Sequence, residues 1–145
     1  MPEYRHIKVG GNGRSLLNAA KWCNSFSSKL RGFTFRRHLA QSEGLVLVEK
    51  KESRVNTAIH MLFVFFDLGV IWVNGAGEVV DKTVAKPWRL SYAPQAPAQY
   101  VIELHPAHLA EVEIGDQVEF IQHTDLSDLA SIESSHSSKS DSSSL

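Results

Sequence analysis

At 145 residues, with 43% hydrophobic and 21% charged residues, the chain is long enough to bury one hydrophobic core and too apolar to be disordered throughout. A net charge of -1 exerts no general pull toward nucleic acid, so no nucleic-acid partner is expected. The single cysteine, Cys23, rules out an internal disulfide and a four-thiolate zinc site within one chain, and suits a reducing cytoplasm.

In chain order, the first residues, MPEYRHIKVGGNG, lack the apolar stretch of a signal peptide. Tyr4–Val9 and Ser15–Lys21 are predicted strands joined at GGNG, whose glycines accept the positive φ of a hairpin loop. A short helix is predicted over Ser27–Phe35, with a serine as N-cap. GLVLVEK at Gly44–Lys50 reads as a buried strand. The most apolar window, Thr57–Val73, is near the minimum for a membrane span. It contains His60, Asp67 and Gly69, so two core strands are expected and no membrane span. A second hairpin turns at Gly75-Ala76-Gly77, between LGVIWVN and EVVDKTVAK. In Ala98–Leu104 the alternation places Ala98, Tyr100, Ile102 and Leu104 on one face. A second short helix begins at Pro106, whose fixed φ suits a first turn, and Val118 and Phe120 alternate with polar neighbours in a last strand. From Thr124 the composition shifts to ten serines in twenty-two residues, too little apolar area to offset the entropy of ordering. The organisation is therefore one β-rich domain over 1–123 and a disordered serine-rich tail over 124–145. The fold class is mainly β: a small β-sandwich or partly open β-barrel of seven or eight short strands with two short helices.

Four segments resemble, in order and spacing, the prokaryotic family known as domain of unknown function 192. They are KLRGFTFRRHL at Lys29–Leu39, GLVLV at Gly44–Val48, AIHMLFVFFDLGVIWVNGAGEVV at Ala58–Val80, and KPWRL followed by APAQYVIEL ending at Leu104. The resemblance spans about residues 5–122 and implies a small β-rich fold with no established activity. Where that family often carries Met-Arg-Phe-Pro-Ile-Asp, this chain has Val64-Phe65-Phe66-Asp67-Leu68-Gly69. The arginine, proline and aspartate positions become Phe65, Asp67 and Gly69. Any chemistry that rested on that arginine or aspartate is lost or moved here.

Candidate site residues each carry two readings. Arg31 and Arg36 present guanidiniums suited to bidentate capture of a carboxylate or phosphate; alternatively, Arg31 pairs internally with Glu103 and Gly32 is a close-packing or positive-φ position. His60, between Ile59 and Met61, is an acid, base or ligand near neutral pH, or a rim side chain. Asp67, beside Phe63, Phe65 and Phe66, is a general acid or the cap of a bend. Trp88 and Arg89, with Tyr92 and Tyr100, form a stacking platform on a proline-rich loop, or Trp88 plugs one end of the fold. His105 and His108 have ligand-like spacing but no third ligand nearby, so no metal is expected. No phosphate-loop, dinucleotide or HExxH pattern occurs, so no cofactor is expected, and the abundance of serine deprives any Ser/His/Asp combination of specificity.

The excess of basic residues, +7 over residues 1–40 against -8 over the remainder, reads either as an arm for polyanions or as two parts whose charges intermix on one surface. The preferred function is a non-catalytic ligand-binding or accessory module. Its cleft would be lined by Arg31, Arg36, His60, Trp88 and Arg89, and the ligand would be small, polar and anionic. The alternatives are a protein-interaction domain and a small hydrolase using His60 with Asp67 or Glu103.

Overall fold

A computed structural model describes residues 3–25, 33 and 36–122. The helix predicted over Ser27–Phe35 and the tail predicted over 124–145 lie outside or largely outside these residues. Seven strands form one sheet: β1 (Glu3–Val9), β2 (Arg14–Cys23), β3 (Gly44–Ser53), β4 (Leu68–Val73), β5 (Val79–Ala85), β6 (Ala98–Leu104) and β7 (Val118–Gln122). Their order is β5-β4-β6-β3-β2-β1-β7. Every pairing is antiparallel except β2 with β3, a three-residue parallel contact from Lys21↔Leu45 to Cys23↔Leu47. The protein is mainly β, as its alternation predicts.

The sheet curls but does not close. Its outermost strands touch at the isolated bridge Glu78↔Gln117 and through the Val79 N–H donating to the Asp116 carbonyl at 2.9 Å. The Gly115 N–H adds a bond to the Val79 carbonyl at 2.8 Å and the Val118 N–H one to the Gly77 carbonyl at 2.7 Å, but β5 and β7 do not pair as strands. The GGNG hairpin behaves as its sequence implies, with Gly10 at φ 81° and Gly13 at φ 64°. The helix predicted from Pro106 is a single 3₁₀ stretch, Pro106–Glu111. His105 caps it by accepting the Ala107 N–H on Nδ1, and Lys82 closes its other end by donating to the Leu109 and Val112 carbonyls at 2.8 and 2.6 Å.

Period-2 side-chain alternation divides the core in two. On the concave face, Ile7, Val9, Leu17, Ala20, Val46, Ile71, Val73, Ile102 and Leu104 pack together. On the opposite face, Leu45, Leu68, Val70, Trp72 and Val101 pack under a cover that includes Phe33, Ile59, Met61 and Val64. All six residues of β4 are consequently buried, the mark of a strand covered on both sides. The Trp72 indole donates to the Thr57 carbonyl at 2.8 Å and ties the cover to the sheet.

Two expectations need correction. Of the window Thr57–Val73, only Leu68–Val73 is a strand. The remainder forms the cover and touches other backbone at the isolated bridge Ile59↔Tyr92. Ala98 does not share a face with Tyr100: the register of β6 against β3 shifts between Val48 and Ser53, and Ala98 packs on the covered side. The charge asymmetry resolves into intermixing where it can be followed, since Lys8 stands opposite Glu119 across β1 and β7 and Arg36 pairs with Glu43.

Candidate functional site

The cover over the second face is built from two segments, 54–67 and 86–97, which hold each other by backbone bonds. The Ile59 N–H donates to the Tyr92 carbonyl at 2.8 Å and the Tyr92 N–H returns a bond at 2.9 Å. Further along, the Met61 N–H donates to Arg89 and the Trp88 N–H to Met61, both at 2.8 Å. This clamp forces a tight path on both chains. Phe63 (φ 59°) and Trp88 (φ 67°) are the only non-glycine residues with positive φ among the described residues. For residues this bulky the conformation costs about 1–2 kcal/mol each.

Their rings do not repay that cost by deep burial. Phe63, Phe65 and Trp88 are 44%, 46% and 48% exposed. Trp88 is the hub: Phe63 meets it edge-on at 5.1 Å between centroids and Phe65 at 5.6 Å. The neighbouring Leu90 is exposed as well. The three rings pack on one another and still present apolar area to solvent, an arrangement more typical of recognition surfaces than of cores.

The remaining candidates distribute unevenly around this surface. His60 turns outward between buried Ile59 and Met61, and Arg89 is exposed beside Trp88. Tyr92 packs beneath, its hydroxyl oxygen accepting the Lys86 N–H at 2.9 Å. Asp67 is exposed and salt-bridged to Lys86 at 2.8 Å, at the point where the cover enters β4. Arg36 lies over the Phe33 ring at 5.5 Å, and Phe33 meets Phe66 edge-on at 6.1 Å, so this guanidinium caps the same covered face. It also pairs with Glu43 at 2.6 Å, a hydrogen bond that holds the Glu43 carboxyl below the usual carboxylate range. Tyr100 does not join Trp88. It packs on the concave face with Trp22 and Phe120. Arg31 and Gly32 lie outside the described residues.

Glu103 is the chemical anomaly of the covered face. It stands between Leu45 and Val70 on β3 and β4 and is 7% exposed. Among the described residues it has no ion-pair partner, and loss of hydration raises its carboxyl to about 7. His105 and His108 are engaged locally: His105 caps the 3₁₀ stretch, and His108 contacts Glu111 at 2.7 Å and the Gln41 carbonyl. Among the described residues no three metal-ligating side chains converge.

Comparison with known proteins places this architecture. The model of the DUF192 family, described as "Uncharacterized ACR", matches residues 7–120. The chain belongs to the DUF192 family. A UPF0127 protein of Pyrococcus furiosus is 35% identical over 111 residues, covering 74% of this chain and 91% of the relative. A UPF0127 protein of Thermococcus kodakarensis is 38% identical over 109 residues, covering 73% and 67% respectively. Two crystal structures share the fold. One, of a Sinorhizobium meliloti protein described as a "putative transcription regulator", has a TM-score of 0.70 at 17% identity and covers 82% of this chain and 95% of its own. The other, a protein of unknown function from Novosphingobium aromaticivorans, has a TM-score of 0.68 at 20% identity, with coverage of 80% and 84%. In this DUF192 member no helix among the described residues is long and apolar enough to cross a membrane.

The contribution of Phe63 and Phe65 was the part of the surface hardest to read from sequence. Its one signal was three aromatics within four residues, which draws attention to Asp67 as readily as to Trp88. Phe65, where the family resemblance implies an arginine, packs its ring on Trp88. The aspartate position is Gly69. A Cβ there would meet the Leu104 carbonyl at 3.1 Å and the His105 carbonyl at 3.2 Å, so a side chain would require the backbone of the next strand to give by a few tenths of an ångström.

Proposed function

We propose that this DUF192 protein is a small binding module whose recognition surface is the aromatic cluster on the cover. Trp88, Phe63 and Phe65 stack against the planar or apolar body of a small ligand. Arg89 and His60 beside them favour an anionic group on it, and Arg36, paired with Glu43, borders the same covered face as a further contact for that group. Arg31 joins this set as an expectation from sequence. The observation that supports the reading is the pairing of backbone strain with exposure: Phe63 and Trp88 both adopt positive φ while keeping nearly half their surface in water.

An interaction surface for a protein partner is the second reading, favoured by Leu90, 76% exposed, which extends the apolar area beyond the three rings. The acid–base reading draws less support. Asp67 is committed to Lys86, Glu103 lies within the sheet, and His60 forms no hydrogen bond with either. A thermal-shift screen against nucleotides, sugars and aromatic carboxylates tests the first reading. The expected result is stabilisation by an anionic planar compound, lost in Trp88→Ala and weakened in Arg89→Ala. No shift from any class would overturn it.

A further inference from the structure

The openness of the aromatic cluster bears on what it meets. Trp88, Phe63 and Phe65 each keep nearly half their area in water, and Leu90, two residues beyond Trp88, extends the apolar patch. Sites for soluble ligands are concave and bury most of the ligand's surface. A solute resting on rings this open stays largely hydrated, whereas an extended partner covers them all at once. The rings are also fixed from below, since the backbone bonds from Met61 to Arg89 and from Trp88 to Met61 hold their segments in place. Among the described residues the Trp88 indole N–H has no hydrogen-bond partner and the Arg89 guanidinium no acidic one.

Charge is uneven as well. The cover segments 54–67 and 86–97 carry Arg54, Lys86 and Arg89 against one acid, Asp67, a balance of +2. Since the whole chain stands at -1, the remainder stands at -3. Two copies meeting through this face would bring like charges together, while an anionic surface would attract it.

We infer that the ligand of this surface is an anionic phospholipid presented by a bilayer. The inference rests on the aromatic cluster being a recognition surface, and it names the class of molecule taken there. Trp88, Phe63, Phe65 and Leu90 enter the boundary between headgroups and acyl chains, where aromatic rings with a polar edge are favoured. The free indole N–H of Trp88 donates to a phosphate or ester oxygen. Arg89, between Trp88 and Leu90 in the chain, stays at headgroup level and pairs with phosphate. The positive balance of the cover draws this face, and not the acidic remainder, toward the bilayer.

The test is co-sedimentation of the full chain with vesicles of equimolar phosphatidylcholine and phosphatidylglycerol, against vesicles of phosphatidylcholine alone. The chain is expected to sediment with the anionic vesicles only. It is released as salt rises from about 0.1 M to about 1 M and the screening length shrinks from ~10 to ~3 Å. Brominated acyl chains quench its tryptophan fluorescence. In Trp88→Phe, which keeps a ring, sedimentation persists and that quenching disappears, because Trp22 and Trp72 pack within the fold. Glycine accepts the φ of 67° at this position, so Trp88→Gly keeps the fold, as its melting curve checks, and loses affinity about tenfold. Arg89→Ala loses about fivefold, the worth of one basic side chain at an anionic surface. Free glycerol phosphate leaves the chain on the vesicles. Absent sedimentation, equal binding to phosphatidylcholine, unchanged binding by Trp88→Gly or release by glycerol phosphate would overturn the inference. Self-association of the parent that Trp88→Gly abolishes would overturn it too, by giving the face to a second copy. If vesicles fail while a soluble planar anion still shifts the parent's melt through Trp88, the recognition surface stands and only its lipid is lost.

Discussion

Among the described residues two aromatic trios stand out, and their contrast bears on the proposed division between packing and recognition. Trp22, Tyr100 and Phe120 come from β2, β6 and β7 and meet on the concave face with centroids 4.9–5.9 Å apart. Regular strand geometry aims them at each other, and Arg5 lies over Trp22 at 3.9 Å, covering the ring with its guanidinium. Phe63, Phe65 and Trp88 come from irregular segments and need two positive φ angles to meet. Together they leave nearly half of each ring uncovered. The first trio packs against the buried core of the concave face. The second accepts strain without filling anything, and that is the physical ground for reading it as a recognition surface.

The comparison breaks most visibly under truncation. Trp22→Ala removes a ring that joins three strands and is expected to cost about 3 kcal/mol, read from chemical denaturation. A loss below about 1 kcal/mol would mean the concave trio is not a packing unit. Next comes Glu103, the polar residue on the covered side. Its carboxyl is raised from 4.5 to about 7. Burial therefore leaves the protonated form undisturbed and opposes ionisation. Stability is full below about pH 4.5 and falls, by on the order of 3 kcal/mol, as pH rises through 7. Glu103→Gln is expected to flatten that dependence and to be the more stable chain at pH 8. A parent whose unfolding free energy is constant from pH 4.5 to 8 would contradict this.

Gly69→Ala should cost about 2 kcal/mol, because the added carbon meets the backbone of Leu104 and His105 and not a side chain that can swing away. Smallest is Lys86→Ala. Its bridge to Asp67 is exposed on both sides, and its removal should change stability by less than about 0.5 kcal/mol in denaturant titrations.

Much of the sheet was legible because strands and hairpins announce themselves locally. GGNG, the period-2 run ending at Leu104 and the turn at Gly75–Gly77 each fixed a piece of it. The cover was not legible in the same way. Ile59, Met61 and Val64 are as apolar as strand residues, and nothing in their spacing says that they bury against a sheet without joining it. The site was half visible. Trp88 and Arg89 stand on the cover as their proline-rich loop suggests, whereas His60 reaches it from a window that reads as strand, and Tyr100 looked like a partner of Trp88 only while its strand's parity was ignored. Alternation with Ile102 and Leu104 already places it on the opposite face. Backbone strain at Phe63 and Trp88 has no sequence signature, since neither residue type favours a positive φ.

The central claim is that Trp88 is held for recognition and not for stability. The most direct measurement pairs the melting curve of Trp88→Ala with its response to the anionic planar compound that stabilises the parent chain. We predict a loss of stability under about 1 kcal/mol together with loss of the ligand-induced shift. A destabilisation as large as that of Trp22→Ala, or a ligand response equal to that of the parent, would contradict the account.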